Sequence, residues 1–109
     1  MSYKFKEIWC NKGNFTESNR KSSEIDTLVI HYTGNNGDTA ENNGNYFKNN
    51  VVETSAHYFV DDTTVVRSVA DKNIAWHAGD WDINCRSIGI EIAGSTTECT
   101  GKTLENVIL

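Results

Sequence analysis

The chain has 109 residues, enough for one small domain with a single hydrophobic core. Apolar residues make up 38% of it and aromatic residues 10%, a composition typical of a globular protein rather than a disordered one. The net charge is −5 and lysine and arginine form no dense cluster, so nucleic acid is not an expected partner. No apolar stretch is long enough to span a bilayer, and residues 1–7 lack the apolar core of a signal peptide. We therefore expect synthesis in the cytoplasm and no membrane insertion.

The three cysteines, Cys10, Cys85 and Cys99, are widely spaced and form no C-x-x-C pair. This pattern favours free thiols in a reducing compartment. A disulfide between two of them is the alternative.

Residues 1–24 begin with a short alternating segment and become polar and rich in turn residues from Asn11 onwards. We interpret them as an N-terminal leader that packs Ile8, Trp9 and Phe15 on the domain and then crosses its surface. The domain itself is predicted to begin at residue 25.

The first strongly apolar run is Leu28–Ile30, closed by residues 32–34, and it predicts a short core strand. His31 then lies where a central strand meets a loop, which is where α/β folds often bind ligands. A structural imidazole is the alternative for this residue when it is considered alone.

A helix is predicted after the loop at residues 35–37, because Asp38 and Glu41 have the spacing of a capping box. It would run to about Lys48. The segment is rich in asparagine, so tertiary packing must hold it. The side chains expected toward the core are Ala40, Tyr46 and Phe47.

Two β-rich runs, residues 54–60 and 64–69, flank a short polar turn and predict a hairpin. Alternation places His57 and Phe59 on the same face of the first strand. Residues 71–86 then form a long irregular connection that contains Trp76, His77 and Trp81. A loop of this length and composition is more often functional than idle.

A second strong strand is predicted over Ser87–Ala93, with three isoleucines on one face. The other face carries Glu91 between Gly89 and Ala93, which leaves open space around its carboxylate. An active-site carboxylate needs such space. An edge-strand glutamate that faces water is the alternative.

The end of the chain is predicted to be a polar loop over residues 94–102 and a helix capped by Thr103. The sequence stops at Leu109, less than two turns into this helix, on an apolar residue with no stop signal. We expect that the sequence is cut inside an element.

The residues that carry chemistry are His31, His57, His77 and Glu91. Three imidazoles and one carboxylate suit a zinc site with a general base, since neutral imidazole is a favoured zinc ligand. Their spacing is too wide for a local metal motif.

The order of these motifs resembles the zinc-dependent N-acetylmuramoyl-L-alanine amidases of type 2, a family that includes phage endolysins and peptidoglycan recognition proteins. The four matching segments are Val29–Thr33, Ser55–Asp61, Ala75–Gly79 and Ser87–Ile92. The resemblance covers about residue 13 to the end of the chain.

The resemblance implies an α+β fold with a central mixed, twisted sheet flanked by helices, and an amidase-like domain over residues 25–109. It implies cleavage of the amide between N-acetylmuramic acid and L-alanine in peptidoglycan, with Zn²⁺ as cofactor. His31 matches the first zinc ligand and Glu91 matches the carboxylate that activates water. His57 stands where the family contacts the substrate or the oxyanion.

The same resemblance makes Trp76, His77 and Trp81 candidate walls of the substrate groove. Flat aromatic faces suit sugar rings, and an imidazole offers a polar tip. The alternative is that these side chains only anchor the core and the loop. For Trp76 the two interpretations are equally favoured.

The family's remaining zinc ligands lie beyond the helix predicted at Thr103, so this chain would hold one matched ligand where a catalytic zinc needs three. The zinc site is thus expected to be incomplete. A catalytically silent peptidoglycan-binding module is the alternative function, and a cytoplasmic amidase that recycles wall fragments is the alternative to a lysin. Apolar surface left open by the shortened domain would favour self-association.

Overall fold

The computed structural model describes residues 3–94, and a five-stranded sheet is its main feature. The helix predicted at Thr103 and the cysteine at position 99 lie outside these residues. The elements, in chain order, are β1 (Lys4–Glu7), β2 (Phe15–Thr16), β3 (Thr27–Asn36), α1 (Ala40–Asn49), β4 (Tyr58–Val60), β5 (Thr64–Arg67), β6 (Ile74–Ala75), α2 (Trp81–Arg86) and β7 (Ser87–Gly94). Short 3-10 helices occupy Lys12–Asn14 and Ser22–Glu24.

The sheet is mixed, with the strand order β1-β5-β4-β7-β3. Strands β3, β7 and β4 are parallel to one another, β5 runs antiparallel to β4, and β1 runs parallel to β5. The predicted mixed α+β fold is confirmed. The three parallel strands direct their carboxyl ends to one edge of the sheet, which is where such sheets commonly bind ligands.

Strand β3 differs from the prediction of a short, buried central strand. Among the described residues it is one of the two edge strands, and it continues for five residues past His31 to Asn36. Leu28 and Ile30 are 66% and 50% exposed, and Tyr32 on the same face is also exposed. An apolar run shows that a strand can be buried, but whether it is central depends on the order of the strands in the sheet. The sequence therefore did not reveal that β3 lies at an edge.

Helix α1 packs on the face of the sheet that carries His31 and Glu91. Ala40 is fully buried against Phe59 of β4, and Phe47 stacks on the same ring at 5.2 Å between centroids. The predicted core positions of Ala40 and Phe47 are confirmed, whereas Tyr46 points to solvent.

The start of α1 is one residue later than predicted. Thr39, not Asp38, is the N-cap, and it forms a reciprocal capping box with Asn42. The carboxylate of Asp38 instead accepts a hydrogen bond from the backbone N–H of Gly94, the last residue of β7. The local D-x-x-E pattern therefore misplaced the cap by one position.

The predicted hairpin is present, with β4 and β5 antiparallel around a turn whose N–H groups are held by Asp61. The predicted leader contributes more than surface packing, because β1 pairs with β5 and becomes one edge of the sheet. Its Ile8 packs on the core, as predicted, but Trp9 is half exposed.

The connection over residues 71–86 is more regular than predicted. Its strand β6 pairs antiparallel with β2 of the leader, and Asp80 caps helix α2. Cys10 and Cys85, the cysteines within the described range, are free thiols. No helix in residues 3–94 has the length and hydropathy needed to cross a membrane.

Candidate active site

An open groove of about 580 Å³ lies between α1 and the sheet, near the carboxyl ends of β3 and β7. Both polar and aromatic side chains face it, as is usual for small-molecule sites. Its lining includes Tyr32, Asp38, Asn43, Tyr46, Phe59 and Glu91.

Glu91 lies in this groove and on the same face of the sheet as His31. The two residues are directly opposite in the parallel β3–β7 register, and Phe59 is the partner of Glu91 on the other side. Burial, and then the nearby carboxylate of Asp38, raise the pKa of Glu91 to about 7. A carboxyl with this pKa can both accept and donate a proton at neutral pH.

His31 and His77 form a close imidazole pair beside Glu91. His31 Nε2 lies 3.1 Å from His77 Nδ1, and the rings meet edge to face with centroids 5.3 Å apart. Burial lowers the pKa of both rings, that of His77 to about 4. Both are therefore neutral at pH 7, and one of the two facing nitrogens carries the shared proton.

The position of His77 is fixed from three directions. Its Nε2 lies 2.9 Å from the buried hydroxyl of Ser87, and its backbone N–H donates to Asn84 Oδ1. Its ring lies over Gly89, where an added Cβ would come within 2.7 Å of the ring atoms. Because glycine has no Cβ, position 89 leaves room for the imidazole of His77.

His57 is not available to a substrate. It is 0% exposed, with Nδ1 accepting from the N–H of Gly89 and Nε2 facing the carbonyl of Asn73 at 2.8 Å. Burial lowers its pKa to about 4. The structure corrects the predicted role, since a sealed ring bonded to backbone on both sides cannot touch substrate or an oxyanion.

Arg20 of the leader is a buried residue that the sequence analysis did not identify. Its guanidinium donates to four backbone carbonyls at 2.6–3.3 Å and approaches His57 Nε2 at 3.1 Å. The carbonyls belong to Asp71, Asn84, Cys85 and Ser87. They mark the two ends of the connection that carries His77, so Arg20 closes this connection onto the sheet. A single arginine in a polar segment gives no sequence signal for such a role.

Asp38 is a second residue whose importance was missed, because its position suggested a helix cap. Its carboxylate accepts hydrogen bonds from Thr33, from Asn43 and from the N–H of Gly94. It thus joins β3, α1 and β7 at the edge of the groove, close enough to Glu91 to raise the pKa of that carboxyl.

The two candidate tryptophans are not brought into the groove. Trp76 is half-buried, and its Nε1–H donates to Thr16 Oγ1 of the leader. Trp81 is 57% exposed at the start of α2. The geometry favours anchoring for Trp76, and it leaves the predicted substrate contact of both tryptophans as a prediction.

A zinc ion would need three protein ligands and one open position. His31 and His77 offer two neutral imidazoles in contact, and Glu91 stands beside His31. Within residues 3–94, however, no group of three histidine, cysteine or acidic side chains has a metal-binding arrangement. The described residues by themselves therefore do not fit a catalytic zinc ion.

Comparison with known proteins gives consistent matches. The family model of N-acetylmuramoyl-L-alanine amidase matches residues 21–108. CwlA, an N-acetylmuramoyl-L-alanine amidase of Bacillus subtilis (strain 168), is 41% identical over 71 residues, which are 62% of this chain and 26% of CwlA. XlyB of the same organism is 31% identical over 98 residues, 87% of this chain and 31% of XlyB.

The fold agrees with these matches. The structure of the catalytic domain of XlyA superposes with a TM-score of 0.80 and 28% identity, over 94% of this chain and 69% of that one. The chain spans less than a third of the length of CwlA or XlyB. The family match covers most of the sequence, including the strand and loop segments that carry His31, His77 and Glu91, and the chain belongs to the N-acetylmuramoyl-L-alanine amidase family.

Proposed function

We propose that this domain hydrolyses the amide bond between N-acetylmuramic acid and the L-alanine of the peptidoglycan stem peptide, with Glu91 as the group that moves the proton. Family membership supports the reaction class, and the relatives CwlA and XlyB carry the name of this activity. The observation that carries the proposal is the position of Glu91 in an open groove, in register with His31.

The chemistry follows from these residues. Amide hydrolysis needs a base that takes a proton from water as it attacks the carbonyl carbon, and an acid that returns a proton to the leaving nitrogen. Glu91, with its pKa near 7, can do both in turn. The groove would orient the amide, with Tyr46 and Asn43 of α1 on one wall.

The test is hydrolysis of purified peptidoglycan and of a soluble muramyl peptide, each with added Zn²⁺, followed by detection of new L-alanine amino termini. Cleavage of intact peptidoglycan supports a lysin that acts on the cell wall. Cleavage of the soluble fragment alone supports an enzyme that recycles wall fragments. No new amino termini on either substrate would contradict the proposed activity of this chain.

A silent peptidoglycan-binding module is the second candidate, and the lack of a three-ligand metal group within residues 3–94 favours it. It predicts saturable binding of the muramyl peptide without turnover. Titration of the uncleaved peptide, observed by amide chemical shifts around the groove, separates this outcome from an inert protein.

Zinc dependence is a further part of the proposal, with His31 as the ligand taken from the family pattern. Addition of Zn²⁺ is expected to shift the imidazole NMR signals of His31 and His77, because their nitrogens face each other at 3.1 Å. The signals of His57 serve as the internal control, since its nitrogens are held by backbone groups. Equal shifts for all three rings, or none, would contradict a role of His31 in zinc binding.

Self-association is proposed through the apolar outer face of β3, the face of Leu28 and Ile30. A second copy could cover this face, and the side chains are large and exposed. The double variant Leu28→Lys, Ile30→Lys is expected to lower the associated fraction in sedimentation velocity. Val51→Lys, at an exposed apolar position elsewhere, is the control. A wild-type chain that sediments as a monomer at all concentrations would contradict the proposal.

A further inference from the structure

A second pocket, of about 390 Å³, lies away from the groove and shares no lining residue with it. It forms where the leader crosses the far end of β5, between Trp9 and Phe15 on one side and the segment at Val69 and Asn73 on the other. The family's motif segments do not account for its Trp9 wall, which comes from the leader. A hollow of this size falls in the lower range of small-molecule sites.

The side chains that line this pocket suit a sugar ring. The indole of Trp9 is 48% exposed and offers a flat apolar face, which suits the C–H face of a pyranose ring. The rim carries Lys12 and Glu17, one charge of each sign, so an anionic ligand is not favoured. The amide oxygen of Asn73 is engaged by the N–H of Ser18, and its amino group is the remaining donor.

The floor of the pocket is apolar. Cys10 and Val69 belong to a buried cluster there, on which a methyl group can rest. Ser68 beside them is only 1% exposed, and its hydroxyl lies within hydrogen-bonding reach of the Cys10 thiol.

We propose that the second pocket binds an N-acetylhexosamine unit of a glycan strand, with the sugar ring on Trp9 and the acetamido methyl on the floor at Val69. The inference deepens the proposed function, on which it rests for the source of the glycan. It adds a carbohydrate contact remote from the amide that would be cleaved. Phe47 lines the groove and also packs against the Cys10–Val69 cluster, so this one side chain contacts both the groove and the floor of the second pocket.

The experiment is a titration of the folded chain with tri-N-acetylchitotriose, followed by amide and indole NMR signals. This probe contains no muramyl–alanine amide, so binding is measured independently of hydrolysis. We expect saturable shifts at the Trp9 indole and around Asn73. Cellotriose, which lacks the acetamido groups, is expected to bind at least about tenfold more weakly, since the buried methyl contact is lost.

Substitutions of Trp9 test whether the sugar binds in the second pocket. Trp9→Ala is expected to weaken binding about tenfold or more, and Trp9→Phe, which keeps a flat ring, to retain most of it. Phe5→Ala, an exposed aromatic on the adjacent β1, is the matched control and should bind as the wild type does. Shifts confined to the groove, equal binding of cellotriose, or full binding by Trp9→Ala would overturn the proposal. Loss of hydrolysis with intact chitotriose binding would count against the amidase activity alone.

Discussion

Replacement of Glu91 by glutamine is expected to lower the rate of amide hydrolysis by roughly a hundredfold to ten-thousandfold, the usual contribution of a positioned acid–base group. Glutamine has nearly the same shape, so it can stay beside Phe59 in the groove, but it cannot take a proton from water. The measurement is the rate at which new L-alanine amino termini appear with a soluble muramyl peptide.

The matched control for this variant is Glu53→Gln, which makes the same chemical change at an exposed position that does not line the groove. It should retain the wild-type rate. If Glu91→Gln kept more than about a tenth of the wild-type rate, proton transfer by Glu91 would be contradicted. The comparison of kcat with KM then shows whether the loss lies in chemistry or in binding.

The raised pKa of Glu91 also predicts a pH dependence of stability. An unfolded carboxyl loses its proton near pH 4.5, whereas the folded one keeps it up to about pH 7. Between these values the folded state binds more protons, so Glu91 makes the free energy of unfolding fall as the pH rises. His57 and His77, with pKa values lowered to about 4, act in the opposite sense below about pH 6.5.

The difference between wild type and Glu91→Gln isolates this carboxyl, because the contributions of the histidines cancel. In urea unfolding with EDTA, the glutamine variant is expected to gain stability relative to wild type from pH 4.5 to pH 8. A difference that does not change with pH would contradict the raised pKa of Glu91.

Local patterns in the sequence predicted the features that depend on neighbouring residues. The alternation in β7 gave the face of Glu91, and the polar turn at Asp61 gave the hairpin. Alternation could not give the depth of the His57 ring, because the cover over it comes from Arg20 and Asn73, which are 37 and 16 residues away.

The missed features depend on contacts between distant segments. Asp38 has the spacing of a helix cap, yet its carboxylate holds the N–H of Gly94, 56 residues later. The edge position of β3 follows from strand order, which an apolar run does not encode. His77 was assigned to the groove wall, but its contact with His31 requires the space above Gly89.

The largest expected effect on stability belongs to Arg20. Arg20→Ala removes the guanidinium from four buried or partly buried backbone carbonyls that have no other side-chain donor in the described structure. Unsatisfied buried acceptors cost about 1–3 kcal/mol each, and partial access of water reduces the sum. We expect the free energy of unfolding to fall by about 3–5 kcal/mol, a large part of the total for a small domain.

Arg86→Ala is the matched control, because the ion pairs of Arg86 within residues 3–94 are long, at 3.6–3.7 Å, and join it to the exposed Asp26 and Asp82. Exposed pairs of this kind contribute about 0–1 kcal/mol, so its urea midpoint should stay close to that of the wild type. Arg20→Lys is expected to fall between the two, since one ammonium cannot reach carbonyls at both ends of the connection. It also keeps the test informative where the alanine variant fails to fold. Equal midpoints for Arg20→Lys and wild type would show that the connection bearing His77 closes onto the sheet without the guanidinium.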